Sequence, residues 1–171
     1  MSRRQTQLRF AARLLGVLVA VSVAAPPAAA VEGEAGQKLP RFVSLRSDQV
    51  NLRVGPGENY PIEWVLTRKE MPVEIVKEFE NWRMIRDWQG TEGWVHERML
   101  TGKRAVVVKG GIRTLHRQPD PASPPVARAQ PGVIAKLLEC RSDWCRIDAA
   151  DHAGWVQRGD LWGVYPDEIV Q

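Results

Sequence analysis

Asn51-Leu52-Arg53-Val54-Gly55-Pro56-Gly57, then Glu80-Asn81-Trp82-Arg83-Met84-Ile85, then Gly93-Trp94-Val95 is the series on which the fold turns, because the chain repeats it. Thr114-Leu115-His116-Arg117-Gln118-Pro119-Asp120 answers the first segment at an offset of 63, Ser142-Asp143-Trp144-Cys145-Arg146-Ile147 the second at 62, and Gly154-Trp155-Val156 the third at 61. Landmarks that keep one order while drifting by single residues mark a duplicated unit. The chain divides into unit one at 41–101 and unit two at 105–165. Residues 31–40, polar and glycine-containing, read as a flexible spacer, and 166–171 as a C-terminal tail.

Inside each unit the apolar period is two, as in Val73 and Ile75 alternating with Pro72 and Glu74, and no long stretch shows a helical face. Strands are expected near 42–45, 50–54, 71–78, 82–87 and 92–96, with a long proline-containing loop at 55–64. Unit two repeats them near 106–109, 112–115, 132–139, 144–149 and 154–157. Short strands at this spacing predict an all-β chain of two small tandem barrels. Gly55-Pro56-Gly57 suits a tight turn, and Gly93 and Gly154 are expected as bulges at barrel corners.

The opening Asn-x-Arg-x-Gly-Pro at Asn51 to Pro56, the Trp82-x-x-Ile85 strand and the closing Gly93-Trp94-Val95 resemble the bacterial SH3-like (SH3b) domain family over nearly all of 41–163. The resemblance implies two SH3-like β-barrels and places Trp82 where such domains often line a ligand groove. Unit two departs from the pattern: His116 stands for Arg53, Gln118 for Gly55, and the loop from Gln118 to Pro125 is richer in proline.

Strand parity sorts the aromatics. If Ile85 and Ile147 face the core, Trp82, Met84, Trp144 and Arg146 lie on the other face. With Tyr60 and Trp64 from the loop, Trp82 is expected to form an apolar ligand groove on unit one, and Trp144 is its counterpart on unit two. The alternative is that these rings pack the two barrels together or cap a core. Trp94 and Trp155 read as core residues, and Trp88 as the exposed tip of a hairpin. Pro121-Ala122-Ser123-Pro124 has the spacing of a polyproline II ligand, or of a stiffened surface loop.

The first thirty residues carry four arginines and no acidic residue, then an apolar run over Leu14 to Val23, Pro26-Pro27 and Ala28-Ala29-Ala30. This is the pattern of a signal peptide at 1–30, cleaved after Ala30, and its apolar core is short of the roughly twenty residues of a membrane anchor. Without those four, 24 basic residues become 20, against 20 acidic ones. A neutral body gives no footprint for nucleic acid. Export to the periplasm or beyond makes a disulfide the expected state of Cys140 and Cys145, which flank a predicted hairpin tip.

Reactive machinery is not apparent. His96, His116 and His152 form no metal-ligand spacing, and no nucleophile elbow or phosphate loop is present. Units of this family often accompany NlpC-type peptidases or amidases, but a catalytic domain of that kind would need more residues than are here. The sequence thus predicts an exported, non-enzymatic binding module of the cell envelope. It is expected to use no cofactor or metal, to contact a peptidoglycan peptide or envelope protein, and to have no stable membrane insertion after signal cleavage. The competing readings are a structural adaptor and, less supported, a small cell-wall hydrolase.

Overall fold

The computed structural model describes residues 31–33 and 36–171. The proposed signal peptide at 1–30 lies outside them. A short hairpin of β1 (Val31–Glu32) and β2 (Lys38–Leu39) leads into β3 (Arg41–Leu45), β4 (Val50–Arg53), β5 (Ile62–Leu66), β6 (Pro72–Phe79), β7 (Trp82–Arg86), β8 (Glu92–His96) and β9 (Leu100–Thr101). Unit two supplies β10 (Ala105–Val108), β11 (Arg113–His116), β12 (Pro125–Ala129), β13 (Ile134–Arg141), β14 (Trp144–Ala149), β15 (His152–Gln157) and β16 (Leu161–Trp162). Single 3-10 turns precede β9 and β16. The two seven-stranded sheets have one topology: the order β5-β4-β8-β7-β6-β3-β9 recurs strand for strand as β12-β11-β15-β14-β13-β10-β16. The fold is all-β and tandem, as expected.

Each sheet covers its own core. Leu45, Val50, Leu52, Val73, Ile75, Ile85 and Val95 close the first, and Val106, Val108, Leu115, Ala135, Ile147 and Val156 the second. The alternation that makes a two-faced strand is visible in Val50 to Arg53, where Val50 and Leu52 are buried and Asn51 is exposed. Two strands in each unit escape the sequence reading. β5 falls largely inside the expected 55–64 loop, and as an edge strand it is exposed along most of its length, with only Leu66 packing on the core, so it writes no alternating pattern. Two-residue β9 and β16 are too short for any periodicity.

The bulges also sit elsewhere than expected. Pairing runs without interruption through Gly93 and Gly154, opposite Ile85 and Ile147. The register shifts instead at Leu52/Arg53 and Ile75/Lys77, and again at Leu115/His116 and Leu137/Glu139. The two glycines have a different task. A Cβ at Gly93 would meet the Leu52 side chain at 2.5 Å, and one at Gly154 would meet Leu115 at 2.8 Å, so their small size lets the core leucine of the neighbouring strand close over them.

The longest hairpin of each unit is clasped at one place by two chemistries. Cys140 and Cys145 are cross-strand partners joined in a disulfide, both inside the second core. The equivalent partners in unit one are Glu78 and Arg83, also buried. Arg83 Nε lies 3.3 Å from Glu78 Oε1, which also accepts from Arg41 at 2.7 Å, while Arg83 reaches Glu97 and the carbonyls of Glu80 and Trp82. A buried ion pair is tolerated only when its remaining donors and acceptors are satisfied in this way. A segment flanking each unit covers its clasp. Leu39, placed by the sequence in a flexible spacer, is buried in the first core, and Gly33 packs directly against Glu78; in unit two, Val170 of the tail bridges Cys140, whose N–H donates to its carbonyl at 3.0 Å.

The units touch across a junction. The Phe42 ring lies 5.0 Å from Trp162 and 4.6 Å from Tyr165, and Ile134 packs on the first core. The Tyr165 hydroxyl donates to Glu74 Oε1 at 2.8 Å. Burial first, then that bond and the charges of Glu74 and Glu168, push the Tyr165 phenol far above its ordinary range, so it stays a donor. For Glu168 burial works to raise the pKa, but hydrogen bonds from Arg104 and the Tyr165 N–H, with the charges of Arg104 and Arg158, outweigh it and hold the carboxyl below its usual value. Trp82 and Trp144 take no part in this junction; each meets a histidine of its own unit instead.

Two tests follow from these contacts. Glu78→Gln should cost about 3 kcal/mol by leaving Arg83 without its buried counter-charge, whereas Glu78→Cys with Arg83→Cys should oxidise to a cross-strand bridge and recover most of that loss, read by urea denaturation and thiol titration. Because the Glu168 carboxyl is depressed on folding, its contribution is present above the unfolded carboxylate's range and disappears as pH falls through the folded value. The urea midpoint of the native chain should therefore fall more on acidification through and below the ordinary carboxylate range than that of Glu168→Gln.

Candidate functional site

The outer face of unit one gathers polar side chains around one indole. Parity on β4 turns Asn51 and Arg53 away from the core that holds Val50 and Leu52, and parity on β7 does the same for Trp82 against Ile85. Trp82 pairs across to His96 of β8, with ring centroids 5.4 Å apart in an edge-on arrangement. With Gln49, Glu58, Arg98 and Met99 these residues line an open cleft of about 320 Å3. His96 caps the following 3-10 turn, its Nδ1 accepting from the Arg98 N–H at 3.3 Å, and Arg98 stands 3.5 Å from Glu58 across the mouth. The cleft therefore offers one aromatic wall, two side-chain amides, the guanidiniums of Arg53 and Arg98 and the single carboxylate of Glu58. Such a set suits a ligand rich in amide donors and acceptors with a small apolar face to lay on the indole.

The expected apolar groove of Tyr60, Trp64 and Trp82 is not formed. Trp64 is 58% exposed and belongs to edge strand β5, which β4 and β8 separate from β7; three strand spacings place it about 14 Å from the Trp82 strand along the sheet. Tyr60 sits instead on the Gly55-Pro56-Gly57 turn. Its ring occupies the space a Gly55 side chain would need, and Arg53 donates to its carbonyl at 2.7 Å. Tyr60 thus fixes the loop that carries Glu58 rather than lining the cleft. Met84 faces outward as expected but stands across from Trp94, and it too is outside the cleft lining.

Trp144 in unit two repeats the placement of Trp82, half-buried on the outer face, with His116 edge-on at 5.8 Å. Here the histidine comes from the strand that carries Arg53 in unit one, and its Nδ1 lies 2.9 Å from the Ser123 carbonyl. Trp94 and Trp155 are buried, yet on the face away from the two cores; the Arg141 guanidinium lies 5.8 Å from the Trp155 ring. Trp88 occupies a turn ordered by Asp87 Oδ1, which accepts from the N–H groups of Gln89 and Thr91, but Trp64 is the more exposed ring. The Pro121 to Pro124 segment is a hydrogen-bonded turn, not an extended polyproline stretch: Asp120 accepts from Ala122 N–H and from Ser123 N–H, and Ser123 Oγ from Gln118 N–H. Among the described residues no cluster of His, Cys, Asp and Glu could hold a metal ion, and no helix is long and apolar enough to cross a membrane.

Gln49, Asn51, His96, Arg98 and Met99 complete the cleft, and the sequence reading assigned none of them to a binding site. The signal was available for two of them, since the alternation that puts Trp82 outside also puts Asn51 outside on β4 and His96 outside on β8.

A scan of protein families matches the bacterial SH3 domain twice, at residues 46–102 and 109–163. Two copies on the two sheets settle the class: the chain belongs to the bacterial SH3 domain family, whose members commonly bind cell-wall components. Curated protein sequences give no match. Similar solved structures include NlpC2 from Trichomonas vaginalis, 12% identical with a TM-score of 0.36, covering 75% of this chain and 50% of that one. NlpC1 from the same organism is 12% identical at a TM-score of 0.33, with coverage of 77% and 48%. An NlpC/P60 family protein from Bacillus cereus is 13% identical at 0.32, with coverage of 71% and 55%. The chain spans about half the length of these proteins.

Gly55→Ala tests the support of the cleft. The added methyl must displace the Tyr60 ring, at a cost of about 1 to 3 kcal/mol in unit one, and tyrosine quenching together with urea denaturation should register both effects.

Proposed function

We propose that this is an exported, non-enzymatic recognition module of the cell envelope whose unit one binds a cell-wall stem peptide in the Trp82 cleft. The observation that carries the reading is the grouping of an indole face with Asn51, Gln49 and Arg53 in one open cleft. A short peptide presents its amides to those groups and lays an aliphatic side chain on the ring, while Glu58 and Arg98 at the mouth orient its charged ends. Export is supported by the basic start, apolar run and small residues of the first thirty positions. Membership in a family that commonly binds cell-wall components points the same way.

A second reading, adaptor rather than wall binder, draws on β5. This edge strand exposes Ile62, Trp64 and Val65, with Trp64 and Val65 on opposite faces, and an exposed apolar edge suits contact with another protein.

Sedimentation with purified sacculi separates the two. The native protein should co-sediment, and Trp82→Ala should lose at least about tenfold in affinity, as expected for a central aromatic anchor, with its thermal unfolding little changed. Undiminished binding by Trp82→Ala would remove the cleft from the wall contact; failure of the native protein to co-sediment would favour the adaptor.

A further inference from the structure

A second cavity, of about 530 Å3, lies where the two units meet, away from Trp82. Ser44 and Glu70 of unit one form one side, and the linker and unit two form the rest. Its floor is aliphatic, from Ala105, Ile134 and Leu137. Its rim is charged in both senses: Lys103, Arg104 and Lys136 against Glu70, Asp148 and Asp151. Lys136 and Asp148 are direct cross-strand partners, yet no ion pair joins them. Among the described residues Lys103, Lys136, Glu70, Asp148 and Asp151 take part in no salt bridge at all.

Two unpartnered buried atoms point to a ligand here. Asp148 Oδ1 and Arg104 Nε are both inaccessible and without a hydrogen-bond partner, and both residues line this cavity. One is an acceptor and the other a donor. The remaining nitrogens of Arg104 are committed to Glu168 and to the Gly163 carbonyl, which holds the side chain in place. A buried polar group left unmatched carries a desolvation cost, and a ligand with complementary groups relieves it.

The backbone around the cavity is strained as well. Glu70, Ala150 and Asp151 have left-handed φ values of 62°, 50° and 65°, and all three line it. Ala150 and Asp151 form the two-residue turn between β14 and β15, a geometry that normally selects Asn or Gly. Left-handed non-glycine residues concentrate at functional sites.

We infer that this junctional cavity is a binding site for a small zwitterion of the amino acid or short peptide class, with its ammonium group at Asp148 and its carboxylate at Lys103 and Lys136. Short aliphatic side chains of the ligand rest on the floor. The volume falls within the range of small-molecule sites, and such sites favour domain interfaces. This site is independent of the Trp82 cleft and takes a soluble ligand rather than the assembled wall.

The probe is trialanine with both ends free, titrated into the isotopically labelled full chain and followed by amide shifts. Saturable shifts are expected at Ala105, Ile134 to Leu138 and Asp148 to Asp151. N-acetyl-trialanine and trialanine amide should each bind at least about tenfold more weakly, as should Asp148→Asn and Lys136→Gln, whose spectra away from the cavity should match the native one. Trp82→Ala should bind trialanine as the native chain does, which keeps failure of this site distinct from failure of the cell-wall reading. No saturable shift up to about 10 mM, equal binding of the capped peptides, or shifts confined to Asn51, Trp82 and His96 would each overturn the assignment.

Discussion

The structure depends on how about sixty residues can enclose a core. A unit of this size buries few side chains, so its longest hairpin, β6–β7 or β13–β14, must be held in register where it projects beyond the neighbouring strand. Register in turn fixes which residues face out. Were Trp82 to slip by one position relative to β6, Arg83 and Ile85 would trade places with Trp82 and Met84, and the outer cleft would be lost with the core. The Glu78–Arg83 pair and the Cys140–Cys145 bridge stand at the point where that slip would begin. Their covering by Leu39 and by the tail at Val170 keeps water from competing for them.

That constraint explains what could be read in advance. The duplication, the alternation of β4 and β6 to β8, and the pairing of the two cysteines follow from local spacing, because two-faced strands and a hairpin tip leave a record in adjacent residues. The edge strands β5 and β12 do so only weakly, since most of their residues are exposed and the few that reach a core, Leu66, Ala127 and Ala129, are small in number or in size. The roles of Gly93 and Gly154 were hidden for another reason: the residue that needs their smallness, Leu52 or Leu115, is some forty positions away in sequence.

The site was legible only in part. Parity found Trp82 and Trp144, but Tyr60 and Trp64 were expected to join Trp82 as aromatics of one long loop. Strand order separates them, and strand order is a long-range property. What replaced them is polar: the outward residues of β4 and β8 and the 3-10 turn that His96 caps. The junction was less legible still. Phe42, Glu74, Trp162 and Tyr165 carry no motif, and their meeting requires both units to be folded and placed. The cavity beside that junction is a property of the pair of units, and neither repeat alone contains it.

Duplicated modules often diverge at the surface while keeping one interior. Here the interior clasp itself has diverged, carboxylate and guanidinium in one copy and sulfur with sulfur in the other. A two-electron donor can open the second and has nothing to act on in the first. The chain is therefore asymmetric toward its chemical surroundings: a reductant can act on one clasp and leaves the other as it was.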